Sequence, residues 1–149
     1  MGNFFGSFYC MLGLDQFFGL DLANYLWGLT SATVTTNQFV GVGLWMFGLT
    51  LILVLSYYYF IAKPRWANIW GWLSFMGVNA IVQFVIGWQW VLYDLWSDKM
   101  MDANGVALPI TESNCLCFGV TNALLSLFVF FAFSLIVKWR STNASQVPF

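Results

Sequence analysis

The chain has 149 residues, of which 60% are hydrophobic and 21% aromatic, while only 7% are charged against roughly a quarter in an ordinary soluble domain. Net charge is −1, from five basic and six acidic residues, and there is no histidine. A nucleic-acid partner, histidine-ligated zinc, haem or chlorophyll, and a histidine base or pH switch are thereby excluded, and the composition places the chain in a membrane as one domain, 1–149, without linker or repeat.

The chain begins "MGNFFGSFYCMLGLDQFFG", with no Lys or Arg ahead of the apolar residues, so neither a secretory signal nor a transit peptide is expected. Gly2 invites myristoylation, but Gly6 stands where the motif needs Ser or Thr, and Ser7 comes one place late. Between residues 3 and 29 the apolar run is interrupted by Asp15 and Asp21 and by several glycines. A carboxylate at the centre of a bilayer costs on the order of 3 kcal/mol. One or two short interfacial helices are therefore expected, with Phe4, Phe5, Phe8, Phe17, Phe18, Leu22 and Trp27 as the greasy side; a fourth span is the alternative.

Uncharged stretches run from Leu22 to Ala62, from Trp66 to Tyr93 and from Ser113 to Val137. A helix needs about 20 residues to cross the hydrocarbon, and "LTSATVTTNQ" at 29–38 is too polar and β-branched to belong to one. The prediction is an all-α integral membrane protein with three transmembrane helices at about 39–62, 67–92 and 117–138.

Lys63, Pro64 and Arg65 close the first span in a tight connection, and Lys138 and Arg140 close the third. With three crossings these ends share a side that holds four of the five basic residues and no acid. By the positive-inside rule that side is cytoplasmic, giving an outside N-terminus, a cytoplasmic tail at 139–149 and residence in a bacterial inner membrane or its equivalent. Tyr57, Tyr58, Tyr59 and Trp66 are expected as the inner aromatic belt, and Trp88, Trp90, Tyr93 and Trp96 as the outer one.

Within the second span, "GVNAIVQFVIG" sets Asn79 and Gln83 four residues apart, with Asn68 on a related face. Asn122 and Ser126 repeat the spacing on the third span, beside a small-xxx-small step at Gly119 and Ala123. An amide in hydrocarbon needs a partner. These residues are expected either to join helices, within the chain or between subunits, or to line a water-filled path.

The outer loop, 94–114, reads "YDLWSDKMMDANGVALPITESNCLC" with its flanking residues. Its Asn104-Gly105 turn signal predicts a small hairpin between "KMM" and "VALPI". Asp94, Asp98 and Asp102 recur every four residues, with Glu112 beyond. Were the second helix to continue, they would form an acidic stripe able to hold a divalent cation or ring a pore mouth; otherwise they only solvate the loop. The EF-hand pattern fails, and no metal site is assigned. Cys115 and Cys117 form C-x-C, one residue short of a redox motif; with Cys10 they are expected as small packers, a bridge from Cys10 to either being allowed in an oxidising compartment.

No catalytic residue and no cofactor are assigned. The expected function is that of a non-enzymatic structural or assembly subunit of a larger homo- or hetero-oligomeric membrane complex, its partners being the lipid bilayer, other copies or other membrane subunits. The alternative is a homo-oligomeric pore lined by the polar face of the second span, since three spans cannot enclose a path alone.

Overall fold

The computed structural model describes residues 2–31, 34–61, 68–102 and 104–139. Four short helical segments come first: α1 (Gly2–Tyr9), a 3-10 turn (Met11–Gly13), α2 (Leu14–Phe18) and α3 (Leu20–Trp27). Three long helices follow: α4 (Gln38–Leu55), which runs into a π-helical turn (Ser56–Ile61), α5 (Ile69–Trp96) and α6 (Glu112–Lys138). These three are long and apolar enough to cross a membrane.

Each long helix starts at a capping signal. The side chain of Asn37 accepts from the Phe39 amide at 3.0 Å, and that of Asn68 from the Gly71 amide at 2.7 Å. Thr111 and Asn114 form a capping box that starts α6 at Glu112, earlier than the predicted 117. Asn68 is thus a cap and not a member of the amide face. At the other end α5 runs to Trp96 instead of 92, which brings Asp94 onto the helix.

No strand forms among the described residues. The expected hairpin shrinks to one antiparallel bridge, Met101 with Ala107, around the turn that the Gly105 amide closes on the Asp102 carbonyl. The loop is too short for a longer ladder, and a lone two-stranded ribbon is marginal. Lys63, Pro64, Arg65, Trp66, Arg140 and the tail from 140 to 149 lie outside the described residues.

The N-terminal segment forms no fourth span, because its helices are too short for a crossing. Gly19 (φ 101°) separates α2 from α3, and Gly28 (φ 75°) ends α3, left-handed positions that favour glycine. α1 does more than lie at an interface. The ring of Phe5 packs on Gly43, where a Cβ would come within 2.2 Å of it. Tyr9 stacks on both Phe39 and Phe118, with centroids at 5.3 and 5.5 Å. The expected greasy side is therefore divided: Phe5, Phe18 and Leu22 are buried, whereas Phe4 and Phe17 are exposed.

α5 runs antiparallel to both neighbours, as the pairs Gln38–Trp90 and Thr50–Asn79 show for α4, and Trp96–Glu112 and Trp72–Ser134 for α6. α5 and α6 cross most closely at two glycines. A Cβ at Gly119 would lie 2.9 Å from that of Trp88, and one at Gly87 2.8 Å from that of Asn122. The core has two parts, an aromatic one beneath α1–α3 and a second around Val54, Tyr57, Tyr58, Trp72 and Phe130. Tyr57 and Tyr58 are fully buried in the latter, so of that expected belt only Tyr59 faces out among the described residues.

Beside this apolar core the long helices bury a set of polar side chains and leave large apolar ones exposed. Thr50, Asn79, Gln83, Thr121, Asn122, Ser126 and Ser134 are all 0% exposed, while Leu44, Ile52, Trp70, Ile81, Phe128 and Ile136 are all more than half exposed. Water would favour the reverse.

Candidate functional site

The predicted amides meet in one buried seam at the centre of the three long helices. The Thr50 hydroxyl on α4 donates to Asn79 Oδ1 at 3.1 Å, and Asn79 Nδ2 donates to the Ser126 carbonyl on α6 at 3.4 Å. One turn along, Gln83 Nε2 donates to the Met46 carbonyl at 3.3 Å, and Asn122 Nδ2 to the Gln83 carbonyl at 2.6 Å. Tyr9 brings α1 into the same group, its hydroxyl donating to Asn122 Oδ1 and lying 3.8 Å from Met46 Sδ.

Each member occupies a position that its spacing dictates. Asn79, Gln83 and Gly87 are successive turns of one face of α5, and Gly87 lets Asn122 approach the backbone closely enough to bond the Gln83 carbonyl. Ser126 joins through its carbonyl, since its hydroxyl donates to the Ala123 carbonyl at 2.7 Å. Gly119 is at the α5 crossing, and Ala123 lies half-buried one turn away. Gln83 Oε1 is the weak point: it is buried without a hydrogen-bond partner. Sequence patterns on α5 and α6 reveal most of the seam. Thr50, Met46 and Tyr9 give no such signal, because one hydroxyl in an apolar run does not declare its partner.

The acidic loop is dispersed. α5 ends before Asp98, which adopts a left-handed φ of 52° and is exposed. Asp102 accepts from Asn104 Nδ2 at 3.2 Å, and Glu112 from the Trp96 indole at 3.2 Å. No stripe forms, and among the described residues no group of His, Cys, Asp or Glu could hold a metal. Asp94 alone turns inward, where it is 6% exposed. Its Oδ2 accepts from the Tyr25 hydroxyl at 3.1 Å and its Oδ1 from Lys99 Nζ at 2.9 Å, which ties α3 and the loop to α5. Burial pushes the Tyr25 hydroxyl up from the ordinary tyrosine value, helped by the adjacent carboxylate. The hydrogen bond to Asp94, with its charge, raises Lys99 as well. Lys99 also lies 4.8 Å above the Tyr93 ring. Cys10, Cys115 and Cys117 are free thiols.

Chemically, the seam is a set of hydrogen bonds spent on holding helices together; it presents no nucleophile beside a base. Comparisons with protein families, with curated proteins and with solved structures found no match.

Proposed function

We propose that this chain is a multi-pass integral membrane protein without catalytic activity, acting as a structural or assembly subunit of a larger membrane complex. The observation that supports this is a buried polar seam combined with large exposed apolar side chains on the long helices. The amides, hydroxyls and Asp94 find partners inside the chain, which leaves an apolar exterior along all three long helices. Such an exterior can offer shape and contact area to lipid or to other subunits, and little else. The burial of Asn79 and Gln83, both 0% exposed within their own chain, favours this reading over a homo-oligomeric pore lined by them. The orientation proposed keeps the tail inside and the 94–112 loop outside: with three crossings the basic residues at 63, 65, 138 and 140 would fall on the side that the positive-inside rule makes cytoplasmic.

Carbonate washing and chemical cross-linking of native membranes test both parts. The protein is expected to stay in the washed pellet and to cross-link into species larger than a monomer. Release by carbonate contradicts the membrane assignment; a monomer with no partner contradicts the assembly role.

A further inference from the structure

Two surface features meet at the loop end of the bundle. One is a pocket of about 380 Å³ lined by Gln38, Trp90, Tyr93 and the Asp94–Lys99 ion pair. The other is an apolar groove of about 390 Å³ along α4, from Gly41 to Ile52. They lie on one helix face, since Gln38, Gly41, Trp45, Gly48 and Ile52 follow at steps of three or four residues. They also share a wall. A Cβ at Gly41 would lie 3.0 Å from the Trp90 ring, whose Nε1 donates to Gln38 Oε1 at 3.3 Å. The missing side chains open the groove, and at Gly48 a Cβ would meet nothing within 4 Å.

The pocket carries one charge of each sign. The Lys99 side chain is 41% exposed and that of its partner Asp94 only 8%, so the ammonium is nearer the mouth and the carboxylate behind it. A locally neutral pair suits a headgroup that itself bears both charges better than a purely anionic one. From Gly41 to Ile52 the groove runs about 16 Å, close to half of a hydrocarbon core of about 30 Å, the depth of one leaflet. Ion pair, aromatic wall and one-leaflet groove thus come in the order of the parts of a phospholipid.

We propose that this site holds one zwitterionic diacyl phospholipid, with its phosphate at Lys99, its ammonium against the Trp90 indole and one acyl chain in the groove at Gly41 and Gly48. The proposal rests on the membrane assignment above.

Native mass spectrometry of the detergent-solubilised chain tests it, with phosphatidylethanolamine compared against diacylglycerol, which has the chains and no phosphate. Wild type is expected to retain one phosphatidylethanolamine with about tenfold preference over diacylglycerol. Lys99→Gln should erase that preference and Lys99→Arg keep it. Gly48→Leu, which fills open space, should lower retention of both lipids about tenfold. Retention unaffected by both Lys99→Gln and Gly48→Leu would overturn the site, as would a lipid-free dimer that Gly48→Leu disrupts, which would assign the groove to a second copy. Release of wild type from membranes by carbonate would remove the membrane assignment and the site with it; firm membrane residence without a retained lipid would remove the site alone.

Discussion

Gly119→Leu is expected to abolish accumulation of folded protein. A Cβ at this position would lie 2.9 Å from the Trp88 Cβ, 3.0 Å from the Phe84 carbonyl oxygen and 3.2 Å from the Trp88 amide nitrogen. Two of these atoms are helix backbone and cannot rotate away, so α5 and α6 would have to separate. The 2.6 Å bond from Asn122 to the Gln83 carbonyl depends on the same crossing and would go with it. Overpacking a core costs about 1 to 3 kcal/mol, occasionally more, and here the loss of the seam is added to it. Gly48→Leu is the matched control, since a side chain there enters open space. Size-exclusion profiles in mild detergent should show a sharp peak for the control and aggregate or no protein for Gly119→Leu. Similar peaks for both would mean that the α5–α6 crossing is looser than described.

The second large effect is a contrast between two amides one turn apart. Asn79→Leu strands the Thr50 hydroxyl in a fully buried place and removes the bond to the Ser126 carbonyl, so it should destabilise by about 1 to 3 kcal/mol. Thr50→Val combined with Asn79→Leu leaves no stranded hydroxyl and should cost less than the sum of the single changes. Gln83→Leu removes a 3.3 Å bond together with an oxygen that has no partner, so its cost should stay within about 1 kcal/mol. Thermal unfolding in detergent checks the order. Equal losses for Asn79→Leu and Gln83→Leu, with additive behaviour for the Thr50 pair, would contradict the bonding described.

Hydropathy made the three long helices legible because an apolar run of sufficient length has few other uses. Their ends were less so: hydropathy does not register Thr111 and Asn114 as a helix start, nor the fact that Asp94 can stay helical when Tyr25 and Lys99 satisfy it. The spacing of Asn79 with Gln83 and of Asn122 with Ser126 identified faces that had to be in contact. Which faces met was not legible, because the same spacing serves a helix of the same chain, another subunit or water. The acidic stripe failed because α5 ended first, at Trp96. The N-terminal segment was the least legible. Its aromatic residues suit an interface equally well as a bundle, and what drew α1 against the long helices was the space at Gly43 and the bond from Tyr9 to Asn122, neither of which has a local signature.

The polar seam closes inside one chain, through Thr50, Asn79, Gln83 and Asn122. Water-soluble maleimide labelling of single cysteines in native membranes checks that closure, in a background with Cys10, Cys115 and Cys117 replaced by serine. Asn104→Cys, in the exposed loop, should react readily, whereas Gln83→Cys should react only after denaturation. Labelling of Gln83→Cys in intact membranes at a rate comparable to Asn104→Cys would contradict the closed seam and restore a water-filled path.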